Sequence, residues 1–265
     1  MNATLSPARR YADLGYYVHA RSVFSEDLIR RAVEGMDALR ERRYEAGTSP
    51  EESYWNPGDD PNKLCKIEMP QFANRAIFEL VSHPALGRLA AEVTGAKMVQ
   101  AWWVQLLYKP PTADDRTHGT NVGWHQDRQY WDAWTPESEL FTAWVALSDV
   151  TADAGPMLFV PGSHRWGFRG EGDFFGQDID AQQRGIRVPD GEEWSEVPAI
   201  LPPGGVSFHH HLTFHASGPN HSTGPRRSFA IHLRTENSQP VNGARNGLAR
   251  YIDDPERCPI LYAAR

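Results

Sequence analysis

The run MVQAWWVQLLY, residues 98–108, is the stretch on which the fold turns. It is rich in β-branched and aromatic residues, holds no Gly or Pro, and ends at Lys109-Pro110-Pro111, so it reads as a strand. Trp102 and Trp103 are adjacent on that strand and point to opposite faces, so at least one of them serves packing. Four runs of similar character follow: FTAWVALSDV (141–150), PMLFVP (156–161), GVSFHHHL (205–212) and RRSFAIHLRT (226–235). Turn chemistry separates them, in KPPTADD, DAG, PGS, PPGG and SGPN.

Upstream, the period changes. Ser25 can cap a helix whose apolar side is Leu28, Ile29, Ala32, Val33, Met36 and Leu39, with Phe24 as a hydrophobic staple. A Gly/Pro/Asp-rich loop runs from Gly47 to about Pro61, and a second helical stretch covers 82–93, with Pro84 in its first turn and Gly95 as its stop. Helices first and many short strands afterwards predict a mostly β chain with flanking α-helices, built as an antiparallel sandwich or barrel. The 265 residues predict one domain, 1–265, with N-terminal helices over about 25–95, a β core over about 98–236 and a C-terminal tail over 237–265. Within the core, the acidic, Gly-containing segment 167–203 reads as a lid or as a surface insertion.

The bulk composition excludes several function classes. Hydrophobic residues are 40% and charged residues 23%, as in globular proteins, and nine tryptophans predict large aromatic walls. With 34 acidic against 27 basic side chains, net charge −7 and no Lys/Arg-rich stripe, nucleic acid is not an expected partner. Cys65 and Cys258 match no metal or redox spacing and predict two free thiols in a reducing cytoplasm. Neither a signal-peptide apolar region nor a bilayer-spanning run is present, so no membrane association is expected.

The chemistry begins at GWHQDRQYW, residues 123–131. On a strand, His125 and Asp127 at i and i+2 point to the same side and can meet one ion, while Gln126 points away. A His and an Asp often fall at this spacing by chance, so a third ligand must support the pair. Five histidines crowd HHHLTFHASGPNHSTGPRR (209–227): His209, His210, His211, His215 and His221. After His215 the chain turns through Gly218, Pro219, Asn220, Gly224 and Pro225 and re-enters a strand at Arg226-Arg227, so a hairpin-like return places a cation beside that histidine. His209, His210 and His211 read as strand residues alternating between wall and solvent, and His164 as support for a turn. Two imidazoles and one carboxylate form the facial triad of non-haem Fe(II) oxygenases. A chelating 2-oxo acid fills two of the open positions, and its far carboxylate suits an arginine fork.

In this order of motifs the chain resembles the phytanoyl-CoA dioxygenase (PhyH) family of Fe(II)/2-oxoglutarate oxygenases. The motifs are Lys109-Pro110-Pro111, His125-Gln126-Asp127, a block from Gly155 through Pro161-Gly162-Ser163-His164, and His215-Ala216-Ser217-Gly218-Pro219-Asn220. The resemblance implies a double-stranded β-helix (jelly-roll, cupin-like) core, with Fe(II), 2-oxoglutarate and O2 as cofactor and co-substrates. It implies His125, Asp127 and His215 as the catalytic iron ligands, Arg226 as the partner of the far carboxylate, and Ser217 as the hydroxyl assisting it. Arg227 is the competitor of Arg226, since a register slip of one residue swaps their faces. Lys66, Gln105 and Trp144 fall where the family places further co-substrate contacts, though Lys66 reads equally as a solvated lysine. Tyr130, Trp131 and Trp134 read as substrate-pocket walls or as core packing.

The activity so implied is hydroxylation of an unactivated C–H bond of a small molecule, a natural-product or other secondary-metabolite intermediate, with release of succinate and CO2. Halogenating relatives have Ala or Gly in place of the carboxylate ligand, and Asp127 argues against that chemistry. Desaturation, epoxidation and rearrangement use the same ligands. The lack of a basic patch disfavours a CoA ester. The rivals are an oxygen-independent metal-dependent cupin-type isomerase or hydrolase, which has no need of Arg226 and Ser217, and a non-catalytic jelly-roll binding protein, in which His125 and Asp127 are structural. A cytoplasmic monomer or homodimer is expected.

Overall fold

The computed structural model describes residues 5–112 and 119–264, so the expected turn in KPPTADD lies, from Ala113 onward, outside the described residues. A short helix α1 (Pro7–Leu14) leads into β1 (Tyr16–His19), and α2 (Glu26–Arg40) follows. The Ser25 side chain accepts from the Leu28 N–H at 3.2 Å, and Glu26 and Asp27 face the positive helix end, so α2 starts where the capping pattern places it. Its stripe of Leu28, Ile29, Ala32, Met36 and Leu39 is buried. After β2 (Glu52–Ser53) and β3 (Cys65–Glu68), two helices follow, α3 (Arg75–Val81) and α4 (Pro84–Thr94). The latter stops at Gly95, whose φ of 78° is left-handed. Helix α3 is seven residues long, too short for its apolar period to stand out in the sequence.

The remaining elements are β4 (Met98–Lys109), β5 (Val122–His125), β6 (Leu140–Ala146), β7 (Met157–Phe159), α5 (Ile179–Gly185), β8 (Val197–Pro198), β9 (Val206–His210), β10 (His215–Ser217), β11 (Arg226–Thr235) and β12 (Ile260–Ala263). The larger sheet has the order β1-β9-β6-β11-β4-β3-β2, with β12 also on β4; the smaller has β5-β10-β7-β8, and all pairs are antiparallel. The architecture is the mostly β, cupin-like arrangement with flanking helices.

Strand β4 is the longest strand of the larger sheet, paired with β11 along one edge and with β3 and β12 on the other. The expected core limits at 98 and 236 are therefore too narrow. Strand β1 precedes the region expected to be helical, β2 and β3 come from within it and β12 from the expected tail, because the long edges of β4 and β9 carry backbone groups that need partners. Trp102 is fully buried in the main core, whereas Trp103 on the other face hydrogen-bonds Glu68 Oε2 at 2.7 Å.

Part of segment 167–203 adds to the smaller sheet. The Asp173 N–H donates to the Trp124 carbonyl at 2.9 Å and the Gly123 N–H to the Phe174 carbonyl at 3.0 Å, which zips the segment onto β5. The approach is close enough to demand glycine: a Cβ on Gly172, whose φ is +86°, would lie 2.0 Å from the Trp124 carbonyl oxygen. Gly172→Ala is expected to cost about 1–3 kcal/mol. Urea unfolding checks this, and a midpoint equal to wild type would show that the segment is not held this way.

Cys65 and Cys258 are free and buried, and burial pushes both thiols up to about 12. Among the described residues no helix is long and apolar enough to cross a membrane.

Candidate metal centre

Strands β5 and β10 place His125 and His215 directly opposite each other in register, with ring centroids 4.1 Å apart. Asp127 reaches them from a turn and not from the strand itself. β5 ends at His125, and a 3-10 turn over Asp127–Tyr130 swings the carboxylate inward. Gln126 does point elsewhere, as expected, but it anchors the turn: its amide donates to the Gly167 and Leu212 carbonyls at 2.9 and 2.7 Å and accepts from the Arg169 N–H at 2.8 Å.

His125 Nδ1 donates to the Gly123 carbonyl at 2.8 Å and His215 Nδ1 to the Thr213 carbonyl at 2.9 Å. A carbonyl only accepts, so each ring in its neutral form turns an Nε2 lone pair inward. These Nε2 atoms stand 3.7 and 3.6 Å from Asp127 Oδ1, and the ligand atoms of the three residues all lie within 4.8 Å of one another. Burial by itself raises the Asp127 carboxyl, yet His215, His125 and His209 outweigh it and hold the group well below the carboxylate range. Burial, then the neighbouring His125 and His209, push His215 well below the ordinary imidazole value. Two imidazole Nε2 atoms and a carboxylate oxygen converging within 4.8 Å of one another form, with both rings neutral, the donor set that a divalent cation completes.

Beside this centre lies a chamber whose wall includes Gln105, Trp144, Met157 and Arg226. Arg226 is 1% exposed and Lys109, its cross-strand partner, 0%; among the described residues neither forms an ion pair. Arg226 Nη1 donates to Ser217 Oγ at 2.7 Å and to the Gly155 carbonyl, its Cζ lies 5.1 Å from the Trp144 ring, and among the described residues its Nε has no partner. Burial pushes the guanidinium down to about 9, so it stays charged at neutral pH. Ser217 Oγ also accepts from Lys109 Nζ at 2.6 Å and donates to the Gly155 carbonyl at 3.0 Å, so this hydroxyl is committed to orienting Arg226. A buried guanidinium with an orphan N–H and no counter-ion fits an anionic ligand, and the distal carboxylate of 2-oxoglutarate has that chemistry.

Arg227 lies on the opposite face, with Nη2 3.3 Å from Asp37 on α2. β10 and β11 belong to different sheets, so the expected hairpin-like return is instead a crossing from one sheet to the other. That crossing aims Arg226 back between the sheets.

An outer cavity of about 620 Å3 opens from the centre and is lined in part by Tyr54, Trp103, Tyr130, Trp131, Phe174 and Phe175. Lys66 faces this cavity rather than the Arg226 chamber, paired with Glu68 Oε1 at 3.0 Å and lying over the Phe174 ring at 4.8 Å. Gln105 borders both spaces. Tyr130 and Trp131 are in the cavity wall. Trp134 is not: it is fully buried against Trp102, because the turn after Asp127 directs it into the core.

His209 is more than a strand residue alternating between wall and solvent: its Nε2 stands 3.1 Å from Asp127 Oδ2. Thr142 Oγ1 donates to the same oxygen at 2.7 Å and contacts His232 Nδ1 at 2.9 Å. Neither Thr142 nor His232 carries a local signal, since each lies in an apolar strand. His210 stacks on His211, which bonds the Leu140 carbonyl, while His164 holds the Ala12 carbonyl and His221 that of Thr112.

The profile of the Phytanoyl-CoA dioxygenase (PhyH) family matches residues 15–228. A protein of Stutzerimonas stutzeri named as a probable alpha-ketoglutarate-dependent hypophosphite dioxygenase is 26% identical over 260 residues, spanning 90% of this chain and 81% of its own length. The ectoine dioxygenase of Bordetella parapertussis is 27% identical over 210 residues, spanning 75% of this chain and 65% of its own. In fold, the chain is similar to the non-heme alpha ketoglutarate dependent carbocyclase SnoK from nogalamycin biosynthesis, with TM-score 0.67, 23% identity, and 94% and 91% of the two chains covered. The epimerase SnoN from nogalamycin biosynthesis gives TM-score 0.64 at 24% identity, over 88% of this chain and 83% of SnoN.

Proposed function

The chain belongs to the phytanoyl-CoA dioxygenase (PhyH) family and is a 2-oxoglutarate-dependent non-haem iron dioxygenase, and from that premise we propose that it hydroxylates an unactivated C–H bond of a small organic molecule of secondary metabolism. In this reading, residues 1–265 act as one catalytic domain and segment 167–203 covers the site. The observation that carries it is the pairing of three converging ligand atoms, on His125, Asp127 and His215, with a buried arginine that has no anion of its own among the described residues.

When bound, Fe(II) and 2-oxoglutarate supply the oxidising chemistry, consuming O2 and releasing succinate and CO2. The chain's own part is to hold and orient. His125 and His215 offer Nε2, and Asp127 offers Oδ1. Arg226, oriented by Ser217 and backed by the Trp144 ring, takes the far carboxylate, while Gln105 borders both spaces. Tyr130, Trp131 and Phe174 wall the outer cavity, keep water from the reacting centre and position the substrate's C–H bond. Both cations in that wall are already ion-paired, Lys66 with Glu68 and Arg250 with Glu51, so the cavity suits a compact organic molecule better than the phosphates of a CoA ester.

Anaerobic addition of Fe(II) and 2-oxoglutarate is expected to give a weak visible charge-transfer band in wild type and none in His215→Ala. A screen of small molecules under air then follows succinate release, with the product one oxygen atom heavier than its substrate. A wild-type protein that never shows the band would overturn the site assignment, and turnover without oxygen incorporation would overturn the hydroxylation.

A further inference from the structure

The pairing of β9, β6 and β11 sets His209, Thr142 and His232 side by side as one cross-strand row, Thr142 being the register partner of both histidines. Side chains of paired residues share a face, so all three point between the sheets. Asp127 meets this row from the opposite side. Its Oδ1 faces the Nε2 atoms of His125 and His215, while Oδ2 takes the hydrogen bonds of Thr142 and His209.

We infer that Thr142, His209 and His232 are positioning residues that fix Asp127 as a one-oxygen metal ligand, and that His232 ties this carboxylate to the wall of the substrate cavity. The inference rests on the metal assignment proposed above. Its logic is one of donors and acceptors. An ionised carboxylate only accepts, so the Thr142 hydroxyl gives its proton to Oδ2 and must then accept from His232 Nδ1–H; likewise His209 carries its proton on Nε2. Both lone-pair directions of Oδ2 are thereby used, and the carboxylate has no freedom to turn and bind the metal through two oxygens. His232 is packed against Trp102 and Trp131 and borders both the outer cavity and the inner chamber. With Nδ1 engaged, Nε2 is its remaining polar atom, and this atom is the acceptor available to a hydroxyl or N–H on the substrate. Metal ligation and substrate recognition thus share one hydrogen-bonded row.

The test uses Co(II) alone as the probe. Wild type is titrated first; a wild-type protein that does not bind Co(II) refutes the metal assignment itself. Given binding, Thr142→Val and His209→Phe are each expected to weaken Co(II) about tenfold or more, and to change its d–d spectrum as the carboxylate turns, while Thr142→Ser restores affinity and spectrum. A general loss of stability does not alter the spectrum of the loaded protein. Losses below about threefold with an unchanged spectrum in either variant would overturn the inference. Wild-type protein loaded with Zn(II) and labelled with 15N-histidine gives a reading that needs no variant: His232 must carry its proton on Nδ1 and His209 on Nε2, and the opposite tautomer at either ring sinks the row.

Discussion

Asp127→Asn is expected to reduce Fe(II) affinity and 2-oxoglutarate turnover by about a hundredfold to ten-thousandfold, the equivalent of 3–5 kcal/mol for breaking a buried charged set by removal of one partner. The substitution preserves shape, and its effect comes from the direction of the amide. Thr142 and His209 both donate to Oδ2, so the amide oxygen of the variant settles there. The NH2 group is then turned toward the Nε2 atoms of His125 and His215, where Oδ1 stood in wild type. Two hydrogens occupy the position where lone pairs should converge, and the histidines find a neutral partner in place of a cation. The measurement is a metal titration alongside succinate production. Turnover within tenfold of wild type would mean that Asp127 does not ligate the metal.

Arg226→Met gives the second large effect, at the other end of the co-substrate. Loss of a buried charged hydrogen-bonding partner costs about 2–5 kcal/mol, so 2-oxoglutarate affinity is expected to fall by about thirtyfold to several thousandfold. Metal affinity should be unchanged, because Arg226 is hydrogen-bonded to Ser217 and Gly155 rather than to the ligand triad. Titrating the Fe(II) protein with 2-oxoglutarate under anaerobic conditions separates the two. Arg226→Lys is not expected to restore binding: an ammonium can replace the charge, but it cannot keep the contacts to Ser217 and Gly155 and still present a planar fork to a carboxylate. A variant that binds 2-oxoglutarate within fivefold of wild type would remove Arg226 from the site.

Much of this architecture is written in local patterns. The composition of 98–108, 141–150 and 226–235 marks strands because β-branched and aromatic side chains suit a sheet covered on both faces, and β4, β6 and β11 are buried along almost their whole length. The Ser25 cap and the left-handed Gly95 mark helix ends because a helix leaves the same backbone groups unpaired wherever it occurs. The ligand types were legible for a related reason: imidazole and carboxylate at short spacing, followed by a distant histidine and an arginine, are chemically restrictive and rare in that order.

What could not be read locally depends on pairing. Trp131 and Trp134 are three residues apart with the same composition around them, yet one walls the outer cavity and the other fills the core, because the turn after Asp127 sets their directions. Arg226 and Arg227 are chemically identical and take opposite faces, one toward the chamber and one toward Asp37, according to the register of β11 on β4. Strands β3 and β12 are short and lie outside the strand-rich half; they exist as strands because the edge of β4 offers them hydrogen bonds. The row His209–Thr142–His232 joins residues drawn from three separate strands. Residue type and spacing along the chain established the kind of fold and the ligand chemistry, since both are consequences of local periodicity and of what a side chain can donate. Which neighbours surround the carboxylate was left to strand register, a long-range choice made by the burial of both sheets together and invisible to any window of sequence.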